Sequence, residues 1–149
     1  MSTFALPQKF QNWINKRNWG LHTHQIDVLT NSDRKSQLLI APTGSGKTLS
    51  GFLPTLIELD RVNFSGLHTV YVSPLKALAA DIKRNLMIPI EEMGLNIKVE
   101  DRTGDTTAKT KRRQRIDPPQ ILLTTPESLA LLISFPEANA LFANLERII

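Results

Sequence analysis

The sequence predicts an α/β domain in which helices cover both faces of a parallel sheet. From Leu38 onward short apolar runs alternate with stretches of helical periodicity, the pattern of strands joined by crossover helices. The first of these runs leads into Ala41-Pro42-Thr43-Gly44-Ser45-Gly46-Lys47-Thr48, a glycine-containing turn entered from a strand and left by an amphipathic helix. A length of 149 residues fits one domain, and 41% hydrophobic with 21% charged residues is the balance of a chain that folds around a core.

The elements follow in order. Leu38-Leu39-Ile40 reads as a first buried strand. Leu49, Phe52, Leu53, Leu56 and Ile57 share one face of the next helix, which Pro54 is expected to kink. Thr69 to Val72 is a second strand, and Leu75, Leu78, Ala79, Ile82 and Leu86 form a helical stripe expected to end before Pro89. Ile97 to Val99 and Ile121 to Leu123 are the third and fourth strands, the latter followed by a short helix from Pro126 to about Ser134. Between them, Asp101 to Pro119 is polar and basic, a short helix bounded by loops. Arg147-Ile148-Ile149 reads as a fifth strand just beginning. Domains seldom stop inside a buried strand, so the chain is expected to be a truncated piece of a longer one.

Composition excludes several classes of function. With no cysteine there is no disulfide, thiolate zinc site or cysteine nucleophile. His22 and His24 lie two apart and His68 far away, poor spacing for a metal site. Apolar stretches such as Leu129 to Ile133 are too short to cross a bilayer, and Met1 to Phe10 lacks the apolar core of a signal peptide. A soluble cytoplasmic protein is expected. The net charge of +4 is local, because Lys109, Lys111, Arg112, Arg113 and Arg115 fall in one run and the remainder holds 13 basic against 14 acidic residues. Such a run suits contact with phosphate, and a solvated helix face is the alternative.

The turn at Ala41 to Thr48 carries the strongest chemistry. Gly44 and Gly46 let the backbone bend so that its N–H groups converge on phosphates, and the helix N-terminus adds its positive dipole end. Lys47 can reach the β- and γ-phosphates, the Thr48 hydroxyl can hold Mg²⁺, and Thr43 and Ser45 complete the loop. Ala41 stands where the generic pattern has glycine, without effect on this chemistry. Upstream, Gln25 has an amide that matches the donor and acceptor pair of adenine. Taken alone it would be a surface glutamine, and Trp13 and Trp19 core aromatics. Ser73-Pro74-Leu75-Lys76 after the second strand and Thr125-Pro126-Glu127 after the fourth each offer an N-cap followed by proline at the first helical position. Arg102-Thr103-Gly104-Asp105 after the third completes a row of strand-to-helix junctions. Ligands of open α/β sheets bind at that edge.

The order of a glutamine motif, APTGSGKT, SPLKALA, RTGD and TTPES resembles the first motor domain of superfamily 2 helicases. The segment Trp13 to Ile133 is similar to the large helicase-related (Lhr-like) family, and most of all to its bacterial ligase-associated DExH-box branch. The resemblance implies a RecA-like ATP-binding domain spanning residues 1–149, incomplete at its C-terminus, with 1–36 as the glutamine-motif region and N-terminal helices within it. It implies ATP and Mg²⁺ as cofactors, Gln25 on adenine, and Thr43, Gly44, Ser45, Gly46, Lys47 and Thr48 on the phosphates and metal. It further implies that Ser73, Pro74, Lys76, Thr103, Gly104, Thr125 and Glu127 line the path of a DNA single strand. The activity implied is 3′-to-5′ DNA translocation and unwinding in repair, on tailed duplex or RNA/DNA hybrid, with an ATP-dependent ligase and a nuclease as partners. The DExH motif and the second motor domain with its arginine finger are expected beyond Ile149. Such a finger is worth about 10³ to 10⁵ in rate, so this stretch alone is expected to bind nucleotide weakly and not to turn it over. A P-loop metabolite kinase, with Lys109 to Arg115 as its lid, and a non-catalytic nucleic-acid scaffold are the competing readings.

Overall fold

The computed structural model describes residues 5–149; the first four residues of the stretch tested for a signal peptide lie outside it. Two helices, α1 (Gln8–Lys16) and α2 (Thr23–Thr30), precede the phosphate-type loop, and α3 (Lys47–Arg61) leaves it. Then follow β1 (Thr69–Val72), α4 (Lys76–Glu92), β2 (Val99–Arg102), α5 (Ala108–Ile116), β3 (Ile121–Thr124), α6 (Pro126–Ile133), α7 (Ala138–Leu141) and β4 (Arg147–Ile148). The strands form one parallel sheet in the order β2-β3-β1-β4. Strand alternation sends the two faces into separate cores. Ile121 and Leu123 point with Val99 toward Leu53, Leu56, Ile82 and Leu86, beneath α1 to α4. Val70 and Leu122 point the other way, toward Leu132 and Leu141 beneath α6 and α7.

Several expectations change. Leu38-Leu39-Ile40 forms no strand, and Leu38 and Ile40 are 87% and 83% exposed. A strand exists only where a neighbour accepts its ladder hydrogen bonds, and these three residues join none. The third strand runs from Val99 to Arg102 rather than from Ile97 to Val99; Ile97 is buried in the core just ahead of it. Helix α3 continues through Pro54, and α4 continues through Pro89 to Glu92. Each proline forfeits one backbone hydrogen bond, but both rings are buried in line with their helix's apolar stripe, and that burial offsets the loss. Ser73 does not cap α4. The helix starts at Lys76, and the Ser73 hydroxyl instead closes a tight turn with Leu75. Thr125 does cap α6, accepting from Ser128 N–H with Pro126 at the first helical position. Trp13 is a core aromatic at 6% exposure, whereas Trp19 is 50% exposed. Among the described residues no helix is long and apolar enough to cross a membrane.

At the end of the sheet where β1 and β4 start, Arg147 forms two hydrogen bonds with Glu58 at 2.8 and 2.9 Å and one with Thr55. His68, 3% exposed, places Nδ1 2.8 Å from the Thr69 hydroxyl. Burial lowers the pKa of His68 below 6.5, and the nearby Arg147 charge adds to this, against the opposing pull of Glu58. The unfolded chain therefore takes up this proton first as pH falls. The contribution of His68 is complete above pH 6.5 and is lost as pH drops from there through its folded-state value. Urea unfolding at pH 7.5 and 5.5 should show a loss of stability on acidification, and His68→Asn, which keeps a polar group near Nδ1, should reduce that loss.

Candidate nucleotide and nucleic-acid site

The loop between Ile40 and α3 takes its shape from two left-handed glycines, Gly44 at φ 81° and Gly46 at φ 76°. At Gly46 the requirement is double, because an added Cβ would lie 2.7 Å from Gln25 Nε2. Ser45 N–H and Oγ–H both donate to the Pro42 carbonyl, and Ser50 N–H donates to the Gly46 carbonyl, which starts α3. Lys47 Nζ donates to the carbonyls of Ala41 and Pro42 at 2.7 and 2.6 Å. Thr48 is exposed in the first turn of α3, where its hydroxyl can ligate a cation.

Helix α2 packs against this loop. Gln25 is 4% exposed, so it is no surface residue. Its Oε1 accepts from His22 N–H at 2.8 Å, and its Nε2 donates to the Gly46 carbonyl at 3.3 Å. A primary amide has two N–H groups and two lone pairs, so one of each is left for a base edge. Gln25, Gly44, Gly46 and Thr48 line a cleft of about 650 Å³ whose wall also holds Trp19 and Ile88. At that wall Arg17 lies over the rings of Trp13 and Trp19, 5.3 and 4.9 Å from their centroids, and bonds Glu92 at 2.6 and 2.9 Å. Hydrogen bonds from Arg17, then from the Trp13 indole, hold the Glu92 carboxyl below its ordinary pKa of 4.5.

The three junctions stand in a row. Register aligns Arg102 with Thr124 and Thr124 with Val72, so β2, β3 and β1 end level. The edge is cross-tied: Thr124 Oγ1 donates to the Arg102 carbonyl at 2.7 Å, and Ser73 N–H donates to the Thr124 carbonyl at 2.8 Å. Ser73, Thr103 and Thr125 are buried, and their hydroxyls are engaged within their own turns. Pro74, Lys76, Gly104 and Glu127 are exposed. Lys76 reaches Asp105 at 2.9 and 3.1 Å, which joins the first junction to the second. The buried members shape this edge, and the exposed ones are available to a ligand.

The basic run is less free than its sequence suggests. Arg113 pairs with Glu100 at 2.6 Å, Lys111 donates to the Gly104 carbonyl, and Arg115 stacks 3.9 Å from the Phe135 ring centroid. Burial opposes ionisation of Glu100, but the hydrogen bonds from Arg113 and Gln114 outweigh it and hold its pKa below 4.5. Lys109 and Arg112 are exposed and make no ion pair among the described residues. Sequence reasoning missed two residues. Arg102, 3% exposed, donates to the Lys111 carbonyl and to Gln114, and so fixes α5 beside the second junction. His24 contacts the phosphate-type loop itself at Ser45. Their only sequence signal was adjacency, Arg102 to Thr103-Gly104 and His24 to Gln25.

A family model described as DEAD/DEAH box helicase matches residues 22–149. The ATP-dependent helicase Lhr-Core of Methanocaldococcus jannaschii is 41% identical over 130 residues, which cover 77% of this chain and 16% of that protein. The Lhr helicase/uracil glycosylase of Escherichia coli is 41% identical over 116 residues, covering 65% of this chain and 8% of its own length. Among solved structures, the Mycobacterium smegmatis helicase Lhr bound to ssDNA and AMP-PNP superimposes with a TM-score of 0.83 at 35% identity, over 95% of this chain and 19% of that one. This chain thus spans less than a fifth of each of these relatives.

Proposed function

Because the chain belongs to the DEAD/DEAH box helicase family, we propose that it supplies the ATP-binding part of a 3′-to-5′ DNA translocase and helicase that acts in DNA repair. The row of level strand ends at Arg102, Thr124 and Val72 carries this reading, because it sets three strand-to-helix junctions side by side along one edge. Such junctions hold a phosphodiester backbone without reading its bases. Pro74, Lys76, Gly104 and Glu127 face the strand, while Ser73, Thr103 and Thr125 keep the turns in shape. The resemblance to the Lhr-like family supports the direction of travel, the use of tailed duplex or RNA/DNA hybrid, and a ligase and a nuclease as partners.

The loop fits a nucleoside triphosphate. Its two left-handed glycines and the start of α3 form a cradle, and a Cβ at Gly46 would collide with the Gln25 side chain that packs against it. Lys47 would exchange the Ala41 and Pro42 carbonyls for phosphate oxygens, and the Thr48 hydroxyl would help to hold Mg²⁺. Gln25 offers its remaining N–H and lone pair to adenine in the adjoining cleft. ATP supplies the phosphoanhydride whose hydrolysis drives stepping.

Hydrolysis by the full-length gene product should rise severalfold or more when single-stranded DNA is added. A metabolite kinase would be indifferent to the strand, and that result would end the motor reading. In a salt titration of single-strand binding by the full-length gene product, Lys109→Ala combined with Arg112→Ala should lower the salt dependence. The expected change in the log–log slope is about 1.4, at roughly 0.7 per phosphate contact on single strands. An unchanged slope would remove α5 from the strand path.

A further inference from the structure

A loop that turns its N–H groups toward a phosphate turns its carbonyls away, since each carbonyl and the next N–H point in opposite directions within one rigid peptide plane. Those outward carbonyls need partners, and what holds them sets the direction of the N–H groups. The Gly46 carbonyl has three: Gln25 Nε2 at 3.3 Å, Ser50 N–H at 3.0 Å and Ser50 Oγ at 3.1 Å. The Ser45 carbonyl, between the two left-handed glycines, has one among the described residues, His24 Nε2 at 3.0 Å.

His24 is firmly placed for that contact. It lies in the first turn of α2, its ring stacked on His22 with centroids 5.4 Å apart and planes 8° from parallel. The start of α2 is fixed in turn by the Gln25 side chain on His22 N–H, and the helix is anchored by buried Gln25 and Leu29. Donation to a carbonyl puts the ring proton on Nε2.

We propose that His24 is a positioning residue for the phosphate loop. By holding the Ser45 carbonyl it fixes the Ser45–Gly46 peptide plane, and with it the direction in which Gly46 N–H meets a phosphate. Gln25 does the same for the next plane and for Lys47 N–H, but Gln25 also faces the base cleft. The action of His24 is therefore blind to the base. This inference rests on the reading of the loop as a triphosphate site.

Two variants test it. His24→Ala removes the donor, and His24→Gln restores an N–H at nearly the same reach. In this chain without nucleotide, hydrogen exchange of the amides from Thr43 to Thr48 should be about 5-fold faster in His24→Ala, the effect of one ordinary hydrogen bond, and near wild type in His24→Gln. In the full-length gene product, His24→Ala should weaken ATP and inorganic tripolyphosphate by the same factor, about 5-fold, with recovery in His24→Gln. Unchanged loop exchange in His24→Ala overturns the proposal. So does weakening confined to ATP, or a folded His24→Gln that recovers nothing. If wild type itself fails to bind tripolyphosphate, the triphosphate reading falls, while the exchange measurement still decides whether His24 holds the loop.

Discussion

Lys47→Ala is expected to abolish ATP-driven activity of the full-length gene product while leaving its fold untouched. A charge-assisted hydrogen bond is worth about 1.5–3 kcal/mol, so losing the ammonium should weaken ATP by about 10- to 150-fold. Hydrolysis should fall further, because the same charge stabilises the transferring phosphoryl group. Stability follows the opposite logic. Lys47 is the first residue of α3, where a positive side chain meets the positive end of the helix dipole, and alanine is the best helix former. Its two carbonyl partners, Ala41 and Pro42, lie in a solvent-facing loop and can turn to water. Thermal melting should therefore be unchanged or slightly raised. A melting point lowered by several degrees would mean that Lys47 is structural, and undiminished unwinding would remove the loop from the mechanism.

Phe52→Ala should give the largest loss of stability, about 3–5 kcal/mol. The ring is 1% exposed, packs 5.5 Å from Tyr71, and joins α3 to the sheet face formed by Ile121 and Leu123. Domains of this size are stable by about 5–15 kcal/mol, so the loss takes a large share of the total. The melting temperature should fall by roughly 10 °C. Phe52 also lines the cleft beside Gln25, so nucleotide affinity should fall with it. Phe52→Leu, which refills most of the volume, should recover most of both. A loss below about 1 kcal/mol would show that α3 is not held by this core.

Helices α3 to α6 and most strands were legible in the sequence because their signals are local. Ile121 to Leu123 is apolar throughout, as a strand buried on both faces must be, and Thr125-Pro126 gives α6 a start readable without a structure. β2 was misplaced because three of its four residues are charged: Glu100 and Asp101 sit in the sheet only because Arg113, Gln114 and Lys83 meet them there. No window of sequence contains that pairing. Leu38 to Ile40 failed for the converse reason, its residues being strand-like while its pairing is a property of other segments. Ser73 and Thr125 look alike in sequence, yet only Thr125 caps a helix, the choice lying with backbone turns two residues downstream.

The candidate site divides the same way. The turn from Thr43 to Thr48 could be read from its glycines, since Gly44 and Gly46 both take the left-handed backbone that such a turn requires. The partners of the loop could not. His24 was weighed as a metal ligand by its spacing from His22, and its actual contact lies 21 residues away at Ser45. The five basic residues from Lys109 to Arg115 looked equivalent, yet the fold commits Lys111, Arg113 and Arg115 to neighbours and leaves Lys109 and Arg112 to solvent.

The two indoles that line the cleft have an experimental use. They are the only tryptophans in the chain. Trp13 is locked by its hydrogen bond to Glu92 at 2.6 Å, whereas Trp19 stands half in water beside the space assigned to the base. Both rings line the cleft and lie edge to face 5.6 Å apart, so a spectral change on adding nucleotide reports the indole pair. The protein thus carries its own optical gauge of base arrival, without an attached dye.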